Sequence, residues 1–324
     1  MDSTMTETKS PWLDWSQSWI LKRIAGLRIE ELIAYFFFIP SLAITFRANA
    51  FFWLEDYGMG RRIGSGIWRI LLAAVLLPLI PYLSHKSERS RLFLVVRNAL
   101  PFVIAVAIYT NLHDTIHFVN PHDVQEWFYR ADIWLFGVEP TIWAQQFYRP
   151  WLTEVLSFCY AAYLPLTILL PCILFIQQRD LEARETLLGI VLCFYCGYFF
   201  YILFPAVPPR LAIANLYTHD FEGGFLLAAQ RAMVSISESS SRAAFPSLHI
   251  AITFLTLTYA FQFVRKLFWF LLPLGIGLMM ATIYLRHHYV VDLMAGVPLA
   301  IFAYRYSPSI ERTWEGFREA LRRS

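Results

Sequence analysis

The sequence predicts an all-α integral membrane protein, and three observations carry that reading. Hydrophobic residues make up 57% of the 324 residues and charged residues only 16%, against about 25% charged in soluble domains. Mean hydropathy is +0.48. Eight apolar runs approach the roughly 20 residues that a spanning helix needs. The same composition excludes a disordered chain and a disulfide-stapled fold. A net charge of only +3 excludes a strongly basic nucleic-acid binder.

The elements follow in order. Residues 1–31 read as a cytoplasmic interfacial segment. Trp12, Trp15 and Trp19 recur at helical spacing before Lys22 and Arg23, the pattern of a helix lying in the headgroup region. No secretory signal is legible there, because a long apolar core and a small-residue cleavage site are missing. The expected spans are 32–46, 67–83, 92–109, 155–176, 187–204, 248–264, 267–285 and 289–304. The first ends at Arg47, and the second and third carry Arg69 and Arg97.

Cys193 and Cys196 form a C-x-x-C inside the fifth run, with no histidine nearby in sequence. A zinc or redox site needs partners and access, so they read as small residues of a buried helix. The 235–241 stretch reads as a solvated loop. The last part, 307–324, reads as a basic cytoplasmic tail in which Trp314, Phe317 and Leu321 alternate with Arg312, Arg318, Arg322 and Arg323.

Lysine and arginine favour the connections that share a side with the two termini. The positive-inside rule therefore puts both termini in the cytoplasm. Segments 111–153, 205–247 and 286–288 then share the opposite, extracytoplasmic or lumenal face, in a bacterial inner membrane or its equivalent.

Those segments carry the chemistry. Phe245-Pro246-Ser247-Leu248-His249 opens the sixth span, and Arg286-His287-His288-Tyr289-Val290-Val291-Asp292 opens the eighth. His288 and Asp292 are one helical turn apart, so the carboxylate can accept a hydrogen bond from the ring. The other ring nitrogen is then an oriented nucleophile or base. A buried aspartate at a membrane helix start is costly and usually functional. A structural His–Asp pair is the alternative for this motif alone. Pro205 to Arg210 follows the fifth span. Its prolines end the helix and present Arg210, whose planar fork suits a phosphate. Helix starts at Ser247 and Tyr289 are expected to add unpaired N–H groups for an anion.

The P-S-x-H of 246–249 and the H-Y-x-x-D of 288–292 resemble the second and third signatures of the type 2 phosphatidic acid phosphatase superfamily. The stretches "FPSLH" and "YLRHHYVVDLMAG" are most similar to the branch containing inositol phosphorylceramide synthase. The resemblance covers about 92–306 and implies a six-helix catalytic core, with 32–91 as two additional helices. It implies that His288 attacks phosphorus, Asp292 orients it, and His249 protonates the leaving oxygen. Ser247 and Arg210 match phosphate-contacting positions. Departures from the pattern fall at Leu203, Leu248 and Thr282, where the family usually has lysine, glycine and arginine. Arg242 and Arg286 are candidate replacements for the two missing cations.

Segment 111–153 holds His113, Asp114, His117, His122 and Asp123. His113 and His117 are one turn apart, so a metal site can be argued. The preferred reading is hydroxyl or headgroup recognition by His113, Asp114 and His117, and the bland one is a polar juxtamembrane loop. Asp132, Trp134 and Phe136-Gly137 read as the beginning of an interfacial helix. Taken together, the sequence predicts a phosphotransferase that needs no cofactor and no metal. It would move a phosphoryl or phospho-headgroup between membrane lipids. A lipid phosphate phosphatase is the alternative within the superfamily. A transporter or scaffold is the alternative of another class, disfavoured because the ionisable residues gather at one membrane face.

Overall fold

A computed structural model describes residues 24–54, 71, 74–75, 77–87, 90–109, 112–236 and 242–323, with backbone alone at 48–54, 85, 113–114, 236 and 322–323. The described residues are helical and contain no strand. The chain begins with α1 (Ile29–Leu54), α2 (Leu79–Lys86) and α3 (Arg91–Tyr109). Shorter helices follow: α4 (Leu112–Val119), α5 (Gln125–Phe136) and the single turn α6 (Pro140–Trp143). Then come α7 (Pro150–Ala161), α8 (Tyr163–Ile176) and α9 (Asp180–Leu203). The single turn α10 (Pro209–Ala212) leads to α11 (Phe225–Ile236). Last are α12 (Leu248–Phe263), α13 (Arg265–Tyr284) and α14 (Val290–Arg323).

The molecule is a multi-pass helical membrane protein. Helices α1, α3, α9 and α13 are long and apolar enough to cross a bilayer, and α7 with α8 makes a fifth span bent by 42°. The bend has a local cause. Pro165 lacks the N–H that would bond Ala161, and its ring crowds that carbonyl, so the helix breaks at Ala162. Helix α12 is apolar but only 16 residues long. Large apolar side chains face outward, among them Phe36, Trp269, Phe270 and Met280. Arg97, Thr186, Thr253 and Thr256 are buried. Lipid tails replace water around such a surface.

Helices occupy seven of the eight expected spans. The run at 67–83 lies partly outside the described residues, which show helical positions at 71 and 74–75, a turn and the start of α2. The amphipathic pattern at Trp12–Trp19 also lies outside them. The tail is not a separate segment: α14 continues unbroken through 34 residues, about 51 Å at 1.5 Å per residue.

Helix α12 packs on α13, α14, α9 and α8, which places it at the centre of the bundle. Close approach there depends on glycine. A Cβ at Gly296 would sit 2.7 Å from Ser247 O, and one at Gly197 would sit 2.6 Å from the Leu248 side chain. At the end of the bundle where α14 finishes, charges converge. Arg97 bonds both oxygens of buried Glu31. Arg184 reaches Glu30 at 2.7 Å and Glu311 at 2.6 Å. Trp314 Nε1 donates to Leu27 O and Arg318 Nε to Ala25 O. The histidine motifs lie at the starts of α12 and α14, the opposite end.

Candidate active site

Three stretches distant in sequence are tied together by backbone hydrogen bonds. Ala206 N–H donates to Arg242 O and Ala244 N–H to Ala206 O, and Arg210 N–H donates to Arg286 O at 2.8 Å. Ser247 N–H donates to Asp292 O at 3.0 Å. These bonds hold the turn after α9 and the starts of α12 and α14 in one framework.

Side chains on this framework form a chain of contacts. Asp292 Oδ2 lies 3.3 Å from His288 Nδ1 and also accepts the Tyr289 N–H at 3.0 Å. His288 Nε2 lies 3.2 Å from His249 Nδ1. A nitrogen oriented by a carboxylate on its far side thus faces a second imidazole. Burial, reinforced by Arg210, pushes the His288 ring down to a pKa of about 3, so it is neutral at physiological pH.

A polar cavity of about 40 Å³ adjoins the pair, lined by His249, His287, His288, Arg210, Tyr109 and Tyr160 among others. Such a space is large enough for water. Arg210 Nε has no hydrogen-bond partner among the described residues, which leaves this cation available to an anion.

The other expected phosphate ligands are placed differently. Arg242 bonds Asp123, His117 and Pro121 O, so its fork is filled by protein. Arg286 lies over the rings of Tyr217 at 3.8 Å and Phe221 at 4.3 Å and donates to His219 O. Its backbone adopts a positive φ of 66°. Neither arginine is among the residues that line the polar cavity. Ser247 is fully buried and its Oγ caps the Ile250 N–H at 3.5 Å.

Segment 111–153 also meets the site through a residue that the sequence did not single out for it. His113 and Asp114 belong to α4, but their side chains lie outside the described residues. His117 is bound to Arg242, and burial followed by Arg242 lowers its pKa. Asp132 is the missed residue. It is completely buried, and its two oxygens accept the Val290 and Val291 N–H groups at 2.7 and 3.0 Å. Burial raises its pKa against the pull of these bonds. The start of α14 is therefore not the open anion site expected from sequence, because protein carboxylates already occupy its first N–H groups. Phe128 stacks on Phe245 at 4.4 Å and fastens α5 to the same framework.

His287 was also missed. It is buried, stacked on Tyr160 at 4.3 Å, and 2.9 Å from Gln230 Nε2 of α11. The ring of Tyr160 also contacts His249, at 4.9 Å.

Fold and site together define a helical membrane protein with a His–His–Asp chain at one end of its bundle. The PAP2 superfamily model matches residues 126–306, more than half of the sequence, and the chain belongs to that superfamily. It is 30% identical over 138 residues to a PA-phosphatase related-family protein of Dictyostelium discoideum, covering 40% of this chain and 25% of that protein. It is 35% identical over 120 residues to the inositol phosphorylceramide synthase catalytic subunit of Saccharomyces cerevisiae, covering 32% of this chain and 29% of that protein. The matched stretches thus span between a quarter and a third of these curated relatives. No solved structure matches the chain.

Proposed function

We propose that this protein is a membrane phosphotransferase that moves a phosphoryl or phospho-headgroup from a lipid through a phosphohistidine on His288. The observation that carries the reading is the continuous contact from Asp292 through His288 to His249. Phosphate enters between the two imidazoles. His288 Nε2 forms a bond to phosphorus as the bond to the lipid oxygen breaks. His249 gives its proton to that oxygen. In the second half, an acceptor hydroxyl returns a proton to His249 and displaces His288 from phosphorus. Asp292 stabilises the positive ring that forms on His288, as a buried carboxylate does for a catalytic histidine. Arg210 stabilises the phosphate oxygens, and no step requires a metal.

A lipid substrate fits the surroundings. An apolar cavity of about 650 Å³, lined by Phe37, Tyr195, Phe199 and Phe302, reaches Phe245 and Pro246 beside the site. One arginine, Arg210, lines the polar cavity, which favours a phosphodiester, with one charge fewer than a phosphomonoester. The relative from Saccharomyces, by its name, points to a phosphoinositol headgroup, and we carry that to this chain as part of the proposal. The distribution of lysine and arginine supports an extracytoplasmic or lumenal site with both termini in the cytoplasm.

Incubation of purified protein with labelled phospholipids, with and without an alcohol acceptor, tests the reading. New phospholipid that depends on the acceptor is the expected product. Efficient release of inorganic phosphate from a lipid phosphomonoester, with no transfer product, would make it a phosphatase.

A further inference from the structure

We infer that His287 and Gln230 form a hydroxyl-binding subsite, the place where the polyol part of a headgroup or an alcohol acceptor is held beside the reacting phosphate. The inference rests on the phosphotransferase reading and specifies what else the same cavity holds.

Three observations meet here. His287 lines the polar cavity with His249, His288 and Arg210. Its Nε2 lies 2.9 Å from Gln230 Nε2, and both residues are buried. Tyr160 contacts the rings of both His249 and His287, so one aromatic ring links two imidazoles that line the same cavity. An oxygen that exchanges a proton with His249 therefore has His287 as a neighbour.

The chemistry of the pair selects its ligand. Groups facing His287 are Arg210, His249, His288, Tyr160 and Gln230. Burial, and then Arg210, hold the imidazole neutral. A neutral imidazole with an amide offers both donors and acceptors but no charge. That combination gains little from a phosphate anion, which Arg210 serves. It suits neutral hydroxyls, each able to give and take a hydrogen bond. Gln230, carried by α11, fixes the ring by occupying one of its nitrogens, and α11 reaches the cavity wall itself at Val234. The sequence expectation placed hydroxyl recognition in segment 111–153, where His117 and Asp123 are instead bound to Arg242. His287 and Gln230 supply that function from the other side.

The hydroxyls have two sources, the donor headgroup and the acceptor, and the test separates them. Purified full-length protein is given fluorescent phosphatidylinositol or fluorescent phosphatidate as donor, each with and without diacylglycerol, and phosphatidate also with free inositol. Wild type is compared with Gln230→Met and His287→Asn. Both variants should lower the ratio of kcat/KM for phosphatidylinositol over phosphatidate at least tenfold if the subsite holds the donor headgroup. If it holds the acceptor, the loss appears as at least a tenfold fall in transfer to inositol relative to hydrolysis of phosphatidate. Because each variant is read as a ratio, partial loss of folded protein does not mimic the effect. If Gln230→Met does not fold, His287→Asn carries the test. Equal losses in all arms, or no loss in any, would overturn the subsite. A wild-type protein inert on both donors would overturn the proposed function and the subsite with it.

Discussion

Asp132 accepts the backbone N–H of Val290 at 2.7 Å, across 158 residues of sequence. Its second oxygen takes the Val291 N–H. A carboxylate on α5 thereby fixes the first turn of the helix that carries Asp292, and with it the aim of His288. Substitution of Asp132 by Ala should cost about 0.5–2 kcal/mol of stability, as for other lost helix caps. It should also lower kcat about tenfold, equivalent to about 1.4 kcal/mol in the barrier. Thermal unfolding and steady-state rates in one detergent check both. Unchanged kcat in a destabilised variant would reduce Asp132 to a structural cap.

His288→Ala should abolish turnover and leave no acid-labile, base-stable phosphoprotein after brief mixing with labelled donor. Asp292→Asn should keep the protein folded and lower kcat by up to about 10⁴, the cost of misorienting a catalytic histidine. Near-normal rates in His288→Ala would end the phosphohistidine mechanism.

Arg210 and Arg242 should separate cleanly. Arg210→Ala removes the cation with an unpartnered Nε and should lower kcat/KM by about 10²–10³, as for loss of one oxyanion donor. Arg242→Ala should act mainly on stability, because its partners are Asp123, His117 and Pro121 O. Denaturation midpoints beside kinetics distinguish the two. Rates should persist in a chelator for the wild type, and strict dependence on a divalent ion would redirect attention to segment 111–153.

Stability should fall as pH drops below about 6.5, the ordinary value for histidine. His287 and His288 are both lowered by burial. Between the folded and unfolded values, the unfolded chain therefore binds more protons, and stability rises with pH. Acidification takes that stability away. His287→Asn should flatten the melting-temperature profile between pH 4 and 6.5, and an unaltered slope would contradict a buried neutral His287.

The buried pair of Glu31 and Arg97 predicts a different loss. Arg97→Ala leaves Glu31 without its partner in the bundle and should cost about 3–5 kcal/mol. Double substitution to Leu at both positions should recover most of it, which chemical denaturation in detergent would show.

The sequence made the helices legible through apolar run length, and the motifs through local spacing. His288 and Asp292 lie one turn apart, so one helix suffices to see their contact. His249 was legible only by motif, since its partner is 39 residues away. Asp132 and Gln230 gave no such signal. Each is a single polar residue in an amphipathic helix, and its partner lies on an element that only the fold brings near. The contacts of Arg242 and Arg286 were not legible either. Tertiary structure binds Arg242 to Asp123, His117 and Pro121 O and lays Arg286 over Tyr217 and Phe221. The break at Pro165 was a local signal that the run-length reading passed over.

The charged cluster at the far end of the bundle also orders biosynthesis. Glu31 can pair with Arg97 once α3 has been made, whereas Glu30 must wait for Arg184 on α9. Glu311 arrives only with the last turns of α14. As the chain is synthesised from its N-terminal side, α1 therefore acquires its partners in instalments, from α3, then α9, then α14. A chain cut short before 311 leaves Arg184 without that glutamate.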